Sequence, residues 1–191
     1  MEESVNWQFD VYMQEMFHMK EVDLREYSPL TLAYIGDCIY DVIIKSLVVN
    51  EGNQSVNVLH KKTSAYVQAS TQSKMMRTMQ EHLTEEEHAV YKRGRNAKSV
   101  SPAKNQSITD YRRATGFEAL LGYLYLKKDY KRLLDLVKLG LESLEEKKRM
   151  NRKKRQSCLF FVHLQTEFFK QLLLVFCICG RFKNVIDSSQ F

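Results

Sequence analysis

The sequence predicts an all-α fold. Apolar residues recur at three- and four-residue intervals along most of the first 146 residues. Only two prolines and seven glycines punctuate 191 residues. No stretch alternates apolar and polar residues for long enough to read as a half-buried strand. A hydrophobic content of 44% is ample for a core, and a charged content of 27% is ordinary for a soluble chain.

The elements follow in order. Residues 4–19 space Val5, Phe9, Tyr12, Met13 and Met16 at helical intervals. Ser28-Pro29 reads as an N-cap with proline in the first turn, opening a helix to about Val49 that stops near Gly52-Asn53. Residues 55–80 carry one long helical pattern through Val58, Leu59, Ala65, Val67, Met75, Met76 and Met79. Thr84 and Glu87 have capping-box spacing, so a helix starts there, and it should die out near Arg93-Gly94. Residues 95–108 read as a polar loop, and ITDYRRATGFEALLGYLYL restores a helix, strongly apolar beyond Gly116. A last amphipathic helix is predicted from about Asp129 to Glu146.

After that the character changes. Residues 1–146 are read as one helical domain, and residues 147–191 as a basic linker followed by an apolar extension to which no role is assigned. Lys and Arg outnumber Asp and Glu by eight in residues 147–191, whereas residues 1–146 carry a net charge of −2. The overall +6 is therefore a property of the tail, and only local clustering can argue for a nucleic-acid partner. The longest apolar run of the tail, Leu172–Cys179, is too short to span a bilayer, so no membrane association is expected. The N-terminus is acidic and lacks the basic and apolar regions of a signal peptide. Cys38, Cys158, Cys177 and Cys179 fit neither a disulfide framework nor a zinc spacing. A reducing cytoplasm is the expected compartment.

Two apolar helices are each interrupted by one carboxylate: Asp37 in LAYIGDCIYDVII and Glu118 in TGFEALLGYLYL. A buried, unpaired carboxylate costs several kcal/mol, roughly, unless a cation or hydrogen-bond donors offset it. Gly36 and Gly116 stand beside them, and glycine inside a helix marks the close approach of a second helix or a ligand. The two acids together suit a hard divalent cation such as Mg2+. The competing reading is that Arg112 or Arg113, one to two turns earlier, satisfies Glu118 structurally. Asp41, one turn beyond Asp37, is either a supporting acid or a solvated one.

A second cluster, YKRGRNAKSVSPAKNQSITDYRR, mixes cationic side chains with short neutral donors and leads directly into the helix bearing Glu118. Phosphate contacts use this mixture, although a solvated basic loop has the same composition. The candidate phosphate contacts are Arg93, Arg95, Asn96, Lys98, Lys104 and Arg112.

YIGD, LHKKTSAYVQA, RGRNAKS, PAKN and YRRATGFEALLGYLYL, in that order over residues 20–142, resemble Mini-ribonuclease III, the form of ribonuclease III that has the endonuclease domain alone. The resemblance implies the helical ribonuclease III endonuclease fold, a homodimer, and magnesium-dependent cleavage of double-stranded RNA, typically in maturing large-subunit ribosomal RNA precursor. It implies that Asp37 and Glu118 are the catalytic, metal-binding carboxylates. The larger ribonuclease III site has further acids where this chain has Ala33 and Thr115; the Mini-ribonuclease III pattern lacks them too. The alternatives are a catalytically silent relative that binds structured RNA during ribosome assembly, and a purely structural helical dimerisation module.

Overall fold

The computed structural model describes residues 8–20, 23–98 and 107–154. Among these there is no strand, and the helices include, in chain order, α1 (Gln8–Met16), α2 (Pro29–Asn50), α3 (Val56–Val67), α4 (Ala69–Met79), α5 (Glu85–Asn96) and α6 (Ile108–Leu126). A single 3-10 turn, Gln80–His82, follows α4. The chain divides into two compact units, Met1–Leu141 and Glu142–Phe191. Residues 130–141 of the first unit are helical. In the second, residues 142–154 are helical, so the charged stretch read from sequence as a linker is helix as far as it is described. The apolar extension from residue 155 lies outside the described residues. No helix among the described residues is long and apolar enough to cross a membrane.

The predicted caps form. Ser28 Oγ accepts the Thr31 N–H at 3.0 Å, with Pro29 in the first turn. Thr84 and Glu87 close a reciprocal capping box, Thr84 N–H donating to Glu87 Oε2 at 2.8 Å and Glu87 N–H to Thr84 Oγ1 at 3.3 Å. After α6, Lys128 takes φ +64°, while the N–H groups of Lys128 and Asp129 bond the carbonyls of Tyr125 and Leu124 at 2.9 and 3.0 Å. This Schellman arrangement absorbs the last carbonyls of α6 and turns the chain into its next helix.

Two boundaries differ from the sequence expectation. The single helix expected over 55–80 is broken at Gln68, whose backbone is extended at ψ 141°. There Thr71 Oγ1 and Gln68 Nε2 both donate to the Ala65 carbonyl, at 2.9 and 3.3 Å, replacing backbone partners lost at the break. Nor does Gly94 end α5, which continues to Asn96. Gly94 is buried, and a Cβ on it would lie 2.6 Å from the Ala119 Cβ. It permits close packing and is not a stop.

The core is organised around α6, on which α2, α4 and α5 all pack. Ten of its nineteen residues are buried, which is why its sequence is apolar on nearly every face. Phe117 meets Tyr40 of α2 edge-on, with ring centroids 5.0 Å apart. The Tyr40 hydroxyl, fully buried, donates to the Tyr66 carbonyl and contacts Met75 Sδ, each at 3.3 Å. Met75, Met76 and Met79 fill the face of α4 that is turned inward.

Candidate active site and nucleic-acid interface

The crossing of α2 and α6 positions the two carboxylates. A Cβ on Gly36 would lie 1.8 Å from the Glu118 carbonyl oxygen, and one on Gly122 would lie 2.0 Å from that of Leu32. The two backbones thus touch at Gly36 and Gly122, a contact only hydrogen side chains allow. Asp37 follows Gly36 directly, so the crossing that Gly36 permits sets Asp37 beside Glu118.

Their environments differ. Asp37 is exposed at the surface of α2, whereas Glu118 is largely withdrawn into the α6 packing. Burial, and then the charge of Asp37, push the Glu118 carboxyl up to about 8, against a smaller opposing influence from the Gln72 side chain. Asp37 is raised by burial and by Asp41. Among the described residues no Arg or Lys pairs with Glu118 or figures in its shift. That removes the structural reading in which Arg112 or Arg113 satisfies it. Asp41, the supporting candidate, is held in an exposed i,i+4 pair by Lys45 at 2.5 Å.

Beneath Glu118 lies a residue that sequence reading missed. Gln72, on the inner face of α4, is 1% exposed, yet neither Nε2 nor Oε1 has a hydrogen-bond partner among the described residues. Its influence on Glu118 is that of an approaching donor that stops short of full hydrogen-bond geometry. An amide buried in this way costs on the order of 1–3 kcal/mol. Two adjoining carboxylates and an unused amide, all oxygen or nitrogen donors with no cationic partner, fit a hard divalent cation. No group of three or more His, Cys, Asp or Glu is gathered for a metal among the described residues, so the arrangement is a two-carboxylate one. The family positions at Ala33 and Thr115 are buried here, and Thr115 Oγ1 is committed to the Tyr111 carbonyl at 3.1 Å.

The basic residues fall into two groups. Arg95, Asn96, Lys98 and Arg112 are exposed, as is Arg93; Lys104 lies outside the described residues. Arg95 and Arg113 converge on the Tyr91 hydroxyl, which also accepts Gln80 Nε2 at 3.1 Å. Arg93 instead lines a cleft with Asp23, Arg25, Glu86 and Tyr123. The separation follows from helical geometry, since residues two apart project from opposite sides of α5. Asp110, the acid within the basic segment, is occupied by Ser73 Oγ at 2.6 Å and Arg77 at 3.7 Å. Among the described residues no acid forms an ion pair with Arg95 or Arg113. Arg113 thus joins the basic group at a position that sequence reading left out of its candidate contacts.

Comparison with known proteins agrees with this geometry. Residues 30–129 match the Ribonuclease III domain. The chain is 49% identical over 125 residues to Mini-ribonuclease 3 of Clostridium tetani, covering 65% of this chain and 83% of that one. It is 45% identical over 126 residues to the Enterococcus faecalis Mini-ribonuclease 3, covering 65% and 96%. A Fusobacterium nucleatum protein known from its crystal structure superposes with a TM-score of 0.59 at 29% identity, over 64% of this chain and 99% of the other. With Asp37 and Glu118 joined at the α2–α6 crossing inside the matched region, the chain belongs to the ribonuclease III family, in its Mini-ribonuclease III branch.

Proposed function

We propose that this endoribonuclease hydrolyses double-stranded RNA with Mg2+ held by Asp37 and Glu118, leaving a 5′-phosphate and a 3′-hydroxyl. The observation that carries the proposal is the pair itself: two carboxylates meeting at one helix crossing, one raised to about 8, with no cationic side chain between them among the described residues. When bound, the ion supplies the charge that activates water as nucleophile and stabilises the departing oxygen. Asp37, ionised and exposed, offers the first carboxylate; Glu118 gives up its proton to become the second. Arg95, Asn96, Lys98, Arg112 and Arg113 offer contacts for backbone phosphates, and Arg93 and Lys104 extend that set. Recognition is then of A-form shape and backbone, with little base reading. Precursor of large-subunit ribosomal RNA in the cytoplasm is the substrate this reading favours.

The working form is a homodimer, with one site for each strand. Support comes from the outer face of α2, where Tyr34, Val42 and Val49 are 77%, 58% and 60% exposed on one side of the helix. An apolar groove lined by Ile39, Val42, Tyr125 and Leu134 adjoins it.

The test is cleavage of a long end-labelled RNA duplex with magnesium by the chain and by Asp37→Asn. Magnesium-dependent cutting that the substitution removes supports the assignment. Duplex binding without cutting by the unaltered chain would transfer it to the RNA-binding alternative.

A further inference from the structure

We propose that Gln72 is a positioning residue of the cation site, its Nε2 holding the Glu118 carboxylate and its Oε1 turned to the cation side, an inference that rests on the proposed function. Three observations lead there. Gln72 is the one side chain among the described residues whose buried polar atoms lack any hydrogen-bond partner. Other polar groups of its neighbourhood are satisfied: Thr71 Oγ1 by the Ala65 carbonyl, Ser73 Oγ by Asp110 and Gln80 Nε2 by the Tyr91 hydroxyl. Finally, Gln72 begins the i, i+3, i+4, i+7 stripe of α4 whose other members are the buried methionines 75, 76 and 79, with buried Thr71 and Ser73 flanking it. An unbranched apolar side chain therefore suits this face, yet an amide stands at the position that faces Glu118.

An amide donates and accepts at once. A Glu118 carboxylate that holds a cation is an anionic acceptor, and Nε2 donates to it in a charge-assisted bond. Gln72 Nε2 can therefore hold a ligating Glu118 in place, as supporting groups at metal sites do. Oε1 is a hard oxygen, of the kind that divalent cations and their hydrating waters accept as a neighbour.

The experiment measures Mn2+ binding to the full chain by calorimetry without RNA, together with thermal unfolding in chelator and in Mn2+. Gln72→Met keeps length and removes both polar atoms. It is expected to unfold in chelator at the wild-type temperature or above, and to bind Mn2+ 10- to 100-fold more weakly, the range for supporting groups at metal sites. Its kcat at limiting Mn2+ should fall while KM for duplex stays, and added Mn2+ should restore the rate. Gln72→Glu places an anionic oxygen at the same point, so Mn2+ should raise its unfolding temperature by more than it raises the wild type's. Wild-type Mn2+ affinity in Gln72→Met would overturn the inference and make Gln72 a core residue, as would a Gln72→Glu chain that Mn2+ stabilises no more than wild type. If Asp37→Asn loses the ion while Gln72→Met keeps it, only this inference fails. If the wild type itself takes up no Mn2+, the proposed function fails and this inference with it.

Discussion

At the scale of single residues, Glu118 is the carboxyl that the fold perturbs most. A carboxyl raised to about 8 binds a proton in the folded chain that an unfolded one, near 4.5, has released. Between those values the native state carries more protons than the unfolded state, so metal-free stability must fall as pH rises from about 5 to 8. Glu118→Gln removes that slope, and thermal unfolding in chelator across this range should show a flatter profile and a higher unfolding temperature at pH 8. Divalent cations should reduce the slope in the wild type and release protons on binding. The Arg95→Ala and Lys98→Ala changes act elsewhere: each should weaken duplex binding and reduce its salt dependence, because each removes a phosphate contact. Unchanged affinity and salt slope in titrations at several ionic strengths would exclude both residues from the interface. The two acids stood out as candidates because each interrupts an apolar pattern, and the bases because they cluster with short polar donors in one segment. Gln72 was not, since a neutral amide in a helix looks like any surface residue until its burial is known.

Among the elements, the α2–α6 crossing is the structural decision on which the site depends. Gly36→Ala would place a methyl 1.8 Å from a carbonyl oxygen that cannot move without its helix. The loss should reach or exceed the top of the roughly 1–3 kcal/mol range for overpacking, measured by urea denaturation, with cleavage falling as the carboxylates separate. A second contact ties the start of α5 to the helix at residues 130–141. Arg132 Nε and Nη2 donate to Glu87 Oε1 and Oε2 at 2.8 and 2.9 Å, and Nη2 also reaches the His82 carbonyl at 2.6 Å. Glu87 is only 6% exposed, so Arg132→Met leaves its charge buried. Loss of a buried partner costs about 3–5 kcal/mol, but Arg132 is about one-third exposed, which brings the expectation nearer ~2 kcal/mol. The Glu87 carboxyl is held below its ordinary range chiefly by Arg132. Its contribution is therefore present above about pH 4.5 and lost as pH falls through the lowered value, and Arg132→Met should blunt acid destabilisation in that window.

For the whole molecule, the exposed α2 stripe is the feature that a monomer leaves unexplained. Val42 belongs to both the stripe and the adjoining groove. Val42→Asp should convert a dimer to a monomer in sedimentation equilibrium and reduce cleavage of both strands, while Val58→Asp, exposed on α3, should leave the dimer intact. A wild-type chain that sediments as a monomer at micromolar concentration would refute the two-fold arrangement.

The sequence by itself determined the all-α class, the caps at Ser28 and Thr84, the extent of α2 and α6, and the two acids. Each of these is written in local spacing: side chains three or four apart share a helix face, and a cap lies within one turn of what it caps. Only the tertiary structure decided the break at Gln68, the continuation of α5 through Gly94, the parting of Arg93 from Arg95, and the burial of Gln72. These depend on what lies across the chain. A glycine reads the same whether it ends a helix or admits a neighbour. An amide has the same composition in water and against a carboxylate, and only the packing of α4 on α6 tells the two apart.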